Sequence, residues 1–146
     1  MKKLVVLVTM LLTLAFAGTC LASENGNALN KADRAIASVL TAFGADVTDG
    51  YASASAGFAT ALKEKVNAEA FAKLKEQVTD KFGRMKESKM VAFERFDQAD
   101  RVTYLAGYSK EKVVRIVFLF DKDTKLVDFG FAPMQVQQPA AETPAK

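Results

Sequence analysis

Residues 112–132 read KVVRIVFLF–DKDT–KLVDFGFA, two largely apolar runs joined by four polar residues. Both runs are rich in β-branched and aromatic residues, which favour strands. A link as short as 121–124 joins antiparallel neighbours, because parallel strands need a long crossover connection. The DKDT segment is therefore predicted to be a hairpin turn, and Pro133 is expected to end the second strand.

Two further runs with a period of two precede this hairpin, at residues 89–96 and 101–109. Brief polar links at 97–100 and 110–111 separate the runs from one another. Short links between successive strands are typical of hairpins. The sequence therefore predicts a sheet of four antiparallel strands.

The predicted strands have two unequal faces. The inner face is dominated by aromatic and β-branched side chains and must be covered by other elements; it comprises Val102, Tyr104, Ala106, Tyr108, Val114, Ile116, Phe118, Phe120, Val127, Phe129 and Phe131. The outer face mixes apolar and polar residues; it comprises Arg101, Thr103, Leu105, Val113, Arg115, Val117, Leu119, Leu126, Asp128 and Gly130.

The outer face suggests self-association, because an apolar patch that the helices leave uncovered commonly marks an interface. Four residues of the predicted strands would form this patch, namely Val113, Val117, Leu119 and Leu126. Arg115 and Asp128 would pair between copies and set their register. The sequence thus predicts a homodimer through the outer face.

Helical periods occupy the chain before the strands. The first period places these residues on one face until Asp49-Gly50 breaks it: Leu29, Ile36, Val39, Leu40, Phe43 and Val47. An alanine-rich helix is predicted from Tyr51 to about Lys65. A third, capped by Asn67 and ended by Gly83, carries Phe71, Leu74, Val78 and Phe82. Three helices packed on a four-stranded antiparallel sheet predict an α+β fold.

The first 22 residues have the order of a secretory signal: two lysines, an apolar run to residue 17, then small residues. Cleavage before Ser23 is favoured, because Cys20 and Ala22 then stand at the −3 and −1 positions. The expected product is exported to the periplasm, the cell envelope or the medium. It would consist of one domain at 23–134 and a disordered tail at 135–146, which has two prolines and no apolar pattern.

Three alternatives for this segment remain open. Cleavage before Gly18 would place Ala15 and Ala17 at the required positions. Lipidation of Cys20 would anchor the chain, although Thr19 fits a lipobox poorly. An uncleaved segment 4–22 is near the lower length limit for spanning a bilayer. Membrane association is expected only through this segment or a Cys20 lipid.

Composition excludes several classes of function. Residues 1–22 hold two of the 20 basic residues and none of the 17 acidic ones, so the remaining chain has a net charge of +1. Nucleic-acid binding is therefore not expected. The single cysteine is Cys20, and the chain has no histidine. No cofactor, no metal site and no catalytic residue are predicted, because histidine- and thiolate-based chemistry is excluded.

A ligand pocket is the main candidate site. Aromatic side chains on the covered side of the sheet would form an apolar pocket with tyrosine hydroxyls to orient a small apolar ligand. The candidates are Tyr51, Tyr104, Tyr108, Phe118 and Phe129. The competing interpretation is that these residues are simply core.

Residues 28–133 resemble a known family. The resemblance lies in the Asp49-Gly50-Tyr51 turn, the Phe71…Leu74…Phe82-Gly83 helix end and the closing hairpin 113–133. The family is a bacterial domain of unknown function, numbered 3887, which is similar to the nuclear-transport-factor-two-like (SnoaL-like) superfamily. The resemblance implies a cone of helices wrapped by a curved sheet. That superfamily includes isomerases, dehydratases, ligand carriers and dimerisation modules, so it leaves the activity open.

Two functions follow as hypotheses. The first is a small exported, non-enzymatic binding or interaction module of the cell envelope. The second is a small enzyme of the isomerase or dehydratase type, which would use a carboxylate and tyrosines in the pocket. The absence of histidine favours the first.

Overall fold

A computed structural model describes residues 25–135. The predicted signal segment and residues 136–146 of the predicted tail lie outside this range. In the described part, helices precede a four-stranded antiparallel sheet, which confirms the α+β class. The elements are α1 (Asn25–Ala42), α2 (Tyr51–Ser55), α3 (Thr60–Lys65), α4 (Ala68–Phe82), β1 (Met85–Arg95), β2 (Asp100–Tyr108), β3 (Val114–Phe120) and β4 (Leu126–Pro133).

Helix α1 presents its apolar stripe to the core through Ile36, Val39 and Leu40. The helix ends at Ala42, so the predicted extension to Val47 was wrong. A tight turn replaces it, in which the Gly44 amide donates to the Thr41 carbonyl at 2.9 Å and the Val47 amide donates to the Gly44 carbonyl at 3.2 Å. Glycine disfavours a helix, so the turn begins where helix propensity falls.

The alanine-rich segment is not one helix, as predicted, but two. The chain leaves helical geometry at residues 56–59, where Phe58 forms an isolated parallel bridge with Leu126. The Leu126 amide donates to the Gly57 carbonyl, and the Ala59 amide donates to the Leu126 carbonyl, both at 2.8 Å. Pairing with the sheet therefore outcompetes continuation of the helix, and it ties α2 and α3 to the start of β4.

Helix α4 has the ends that the sequence predicts. The Asn67 side chain accepts a hydrogen bond from the Ala70 amide at 2.9 Å. At the other end Gly83 has φ +83°, and its amide donates to the Thr79 carbonyl at 2.8 Å. A Cβ there would lie 2.0 Å from the Ser109 Oγ. Glycine is therefore required both for the backbone conformation and for the approach of the β2 end.

The sheet is a meander with strand order β1-β2-β3-β4. Register shifts interrupt the β1–β2 ladder between Met85 and Glu87 and between Met90 and Ala92. Strand β1 starts four residues before the predicted residue 89, since pairing with the far end of β2 extends it. No helix between residues 25 and 135 is both long and apolar enough to cross a membrane.

The inner face of the sheet packs against the helices and forms the core. Alternate residues of β2 and β3 are buried, in agreement with the predicted faces. The fully buried side chains on these strands are those of Val102, Val114, Ile116, Phe118 and Phe120. Phe71 of α4 completes the cluster, with its ring centroid 4.9 Å from that of Phe43.

The predicted faces of β4 are wrong at its first two residues. Leu126 is fully buried in the core, and Val127 is 38% exposed. Leu119 faces Asp128 but Phe120 faces Leu126, so Val127 is an extra residue in the ladder. This bulge brings Leu126 to the inner face and releases Val127 to solvent. Leu126 is therefore not part of the predicted interface patch.

Candidate functional site

The predicted pocket residues form part of the core. Phe118 is fully buried, and its ring lies 6.0 Å from that of Tyr104 and 6.3 Å from that of Phe129. Tyr51 joins this group through Phe58, whose centroid is 6.4 Å from that of Tyr51 and 5.9 Å from that of Phe129. The structure thus brings four of the five candidates into one chain of ring contacts.

Tyr108 lies apart from the other candidates. It closes β2 beside α4, with its ring centroid 5.7 Å from that of Phe82. Its hydroxyl oxygen is buried and has no hydrogen-bond partner among the described residues. Burial raises the pKa of Tyr108 to about 12, because the charged phenolate would lose its hydration.

The other two tyrosine hydroxyls have partners. Tyr51 donates to the Val66 carbonyl at 2.9 Å and so ties α2 to the end of α3. Tyr104 donates to Oδ1 of Asp33 on α1, also at 2.9 Å. Burial, followed by the hydrogen bond and the negative charge of Asp33, raises the pKa of Tyr104 to about 12. Tyr104 therefore remains a neutral donor at physiological pH.

The interface candidates share the outer face, as the alternation predicts. Val113, Arg115, Val117, Leu119 and Asp128 are all half-buried. The structure does not join Arg115 to Asp128 within one chain. Asp128 Oδ1 accepts the neighbouring Phe129 amide at 2.9 Å. Arg115 Nε is buried and has no hydrogen-bond partner in the described chain.

A charged pair that the sequence did not assign occupies the edge of this face. Glu94 of β1 and Arg101 of β2 are register partners, and two hydrogen bonds of 2.7 and 2.8 Å join them. The Arg101 guanidinium also lies 5.2 Å from the centroid of the Phe96 ring. The hydrogen bonds from Arg101 lower the pKa of Glu94. Glu94 is therefore an ion-pair residue and is held ionised.

A second charged cluster lies beside this pair, at the next register position of β1 and β2. The Asp100 side chain is only 4% exposed, and it faces Arg95 Nε at 3.2 Å and Lys122 Nζ at 3.6 Å. Lys122 also donates to the Phe96 carbonyl. These contacts join the first and last turns of the meander. Sequence reasoning missed this cluster, since its members come from three separate segments.

Within residues 25–135, no group of three or more carboxylate, histidine or cysteine side chains is arranged to hold a metal ion. Comparison with family models, with curated proteins and with solved structures gives no match to this chain. Its function is therefore inferred from its own residues.

Proposed function

We propose that this chain is an exported, non-enzymatic interaction module of the cell envelope that self-associates through the outer face of its sheet. The export half of the proposal draws on the signal-like order of residues 1–22. The interaction half draws on one observation above all: the Arg115 Nε, on a half-buried face of mixed apolar and polar residues, is buried and has no hydrogen-bond partner among residues 25–135. A buried donor without a partner is costly, and a shift of the Arg115 side chain toward an acceptor on a second copy would remove that cost.

The centre of the outer face is suited to close packing. Val117 of β3 faces Gly130 of β4 in the ladder. A Cβ placed on Gly130 would meet no atom of residues 25–135 within 4 Å, so the glycine leaves open space beside Val117. Leu119 of β3 and Val113, which directly precedes that strand, extend the apolar surface. Sheets that stack face to face interdigitate such side chains.

The charges on this face are arranged for a twofold contact. Arg115 lies two residues to one side of Val117, and Asp128 lies opposite Leu119, two residues to the other side. A twofold axis across the strands at Val117 brings Arg115 of each copy next to Asp128 of the other. Both ends of the contact then carry the same pair, as an isologous interface requires.

Sedimentation equilibrium of the purified protein tests the proposal. We expect a concentration-dependent dimer that Val117→Glu converts to a monomer, while Ala61→Glu on the exposed side of α3 leaves it intact. Arg115→Asp alone should weaken the dimer at least about tenfold, because like charges then meet. The double variant Arg115→Asp/Asp128→Arg should restore it. A wild-type monomer at high micromolar concentration, unchanged by Val117→Glu, would refute the self-association.

The fold behind this proposal is the cone implied by the resemblance described above, with helices enclosed by a curved sheet. Helices α1 and α4 correspond to the first and third predicted helices, and α2 and α3 lie within the segment predicted as one continuous second helix. A cone closed by its own aromatic side chains favours a binding or dimerisation role over catalysis.

The isomerase or dehydratase alternative draws on the Tyr104–Asp33 hydrogen bond of 2.9 Å, which supplies a tyrosine and a carboxylate together. Native mass spectrometry of the purified protein distinguishes the two functions. An enzyme or carrier of this type should retain a small molecule that Tyr104→Phe and Asp33→Asn release. Protein that carries no such mass, or a bound mass insensitive to both variants, rejects the alternative.

A further inference from the structure

A cleft of about 390 Å³ opens on the helix side of the molecule, away from the outer face. Three segments form it: α1, the end of α2 with its link to α3, and the β3–β4 turn. Its charged residues are Lys31, Arg34, Lys125 and Asp123, and hydroxyl groups of Ser53 and Thr124 lie among them. Three cations therefore face one carboxylate in a concave surface.

Within residues 25–135, the positive charge of this cleft exceeds the negative charge that lines it. None of Lys31, Arg34 and Lys125 makes an ion pair with another residue of the described range. Elsewhere on the surface, neighbouring charges do pair, as in Lys73–Glu69 and Arg84–Asp46. Lys31 and Arg34 are three residues apart and share one side of α1. Concave surfaces lined by one sign of charge concentrate the potential and attract the opposite ion.

The backbone holds the cleft in shape. Asp121 Oδ1 accepts the amides of Asp123 and Lys125 at 3.0 and 2.8 Å, which fixes the β3–β4 turn. The Leu126 amide then binds the Gly57 carbonyl and locks this turn against the helices. Where Gly57 meets α1, a Cβ on residue 57 would lie only 3.0 Å from the Ala35 Cβ. The absence of a side chain at residue 57 therefore permits this close approach of the two segments.

We propose that this cleft binds the phosphate group of a small phosphate monoester. Arg34 supplies a planar guanidinium that can bind two phosphate oxygens, and the two ammonium groups add point charges that neutralise a dianion. The Ser53 and Thr124 hydroxyls complete the set of donors. The volume exceeds that of the phosphate itself and leaves room for an organic substituent. This site shares no residue with the proposed dimer interface, so either proposal can fail alone.

NMR titration of the purified protein with sodium phosphate and with phenyl phosphate, at constant pH and ionic strength, tests this site. We expect saturable shifts of the Arg34, Ser53 and Lys125 amides. Arg34→Gln and Lys125→Gln should each weaken binding about tenfold, a loss typical of one charge-assisted contact. Asp123→Asn should tighten binding severalfold, since it removes the one repulsive charge. Lys63→Gln, a matched exposed lysine on α3, should change nothing.

The source of the phosphate is settled by a second measurement. Co-sedimentation with vesicles of phosphatidic acid in phosphatidylcholine, sensitive to Arg34→Gln, would identify a lipid headgroup, whereas phosphate binding without vesicle binding identifies a soluble ester. The proposal is overturned if phosphate gives no saturable shift up to tens of millimolar. It is equally overturned if Lys63→Gln weakens binding as much as Arg34→Gln, because the attraction would then be nonspecific.

Discussion

The two faces of the sheet are built by the same four strands, but they differ in what covers them. The inner face packs on the helices, and Phe118 and Phe120 there are fully buried. The outer face is half-buried and holds the Glu94–Arg101 pair together with the Arg115 Nε, which has no partner in the described part of the chain. Burial of many apolar side chains makes the inner face the main source of stability. Charge on an apolar background suits the outer face to the selective contact proposed above.

The largest expected difference in stability is between substitutions at two neighbouring residues whose side chains point to opposite faces of the sheet. Phe118→Ala should lower the free energy of unfolding by about 3–5 kcal/mol, because it leaves a cavity in the core. Val117→Ala on the outer face should cost less than about 1 kcal/mol, the span of strand propensities. Urea unfolding below the concentration of any dimer measures both. Equal losses would mean that the outer face is as tightly packed as the inner one.

The bulge in β4 offers a second matched pair of substitutions. Leu126→Ala should cost about 2–5 kcal/mol, as for other buried leucines. Val127→Ala should cost less than about 1 kcal/mol, because a side chain 38% exposed loses little packing. The same denaturant titration applies. If Val127→Ala lowers the free energy of unfolding more than Leu126→Ala does, Val127 faces the core and β4 has no bulge at this position.

The tyrosines of the inner face should make the domain sensitive to alkali. Their pKa rises from an ordinary 10.0 to about 12 on folding, so the unfolded chain loses these protons first. The contribution of these two tyrosines to the free energy of unfolding should therefore be constant below pH 10 and should fall between pH 10 and 12. Tyr108→Phe and Tyr104→Phe should each reduce this loss of stability, as measured by denaturant unfolding at a series of pH values.

At neutral pH the same two substitutions should have different effects. Tyr108→Phe removes a hydroxyl that has no partner in the described chain and should leave stability unchanged or raise it by up to about 1 kcal/mol. Tyr104→Phe removes the bond to Asp33 and should cost about 0.5–1.5 kcal/mol. If both substitutions lower the stability equally, the Tyr108 hydroxyl has a hydrogen-bond partner in solution.

The smallest effect is expected on the outer face. Glu94→Gln should cost no more than about 1 kcal/mol, because both members of the pair with Arg101 are partly exposed. The pKa of Glu94 is lowered on folding, so this contribution is present above the ordinary carboxyl pKa of 4.5 and is lost as the pH falls below it. Thermal melts from pH 7 to 3, with Glu87→Gln as the control, measure it. A loss that persists at pH 3 would exclude the ion pair as its cause.

Local signals in the sequence predicted much of this architecture. The alternation in 113–120 predicts both strand β3 and its faces, and Asn67 and Gly83 mark the ends of α4. The β4 bulge was not predictable, since alternation within one strand cannot reveal an extra residue that only the partner strand defines. The break between α2 and α3 at residues 56–59 was unpredictable for a similar reason, since it also depends on pairing with another segment. Apart from Gly57, the alanine-rich sequence around this break suits a helix, and pairing with the distant Leu126 overrides that preference.

Some features of the candidate sites were likewise predictable from local sequence patterns, and others were not. A shared outer face for Arg115 and Val117 follows from the period of two. The partner of the Tyr104 hydroxyl, Asp33, is 71 residues away in sequence, and no local pattern connects the two. The basic cleft was missed for the same reason, because α1 and the β3–β4 turn meet only in the folded chain.

The bridge between Phe58 and Leu126 bears on how the chain folds. Every strand in the meander pairs with its neighbour in sequence, so the sheet closes only short loops. The bridge closes a loop of about 70 residues, and the entropy cost of closure grows with loop length. We therefore expect the meander to form first and the helices to dock on it afterwards. The rate of folding should then depend on that docking step, and stiffening the link between α3 and α4 should change it more than strengthening any hairpin.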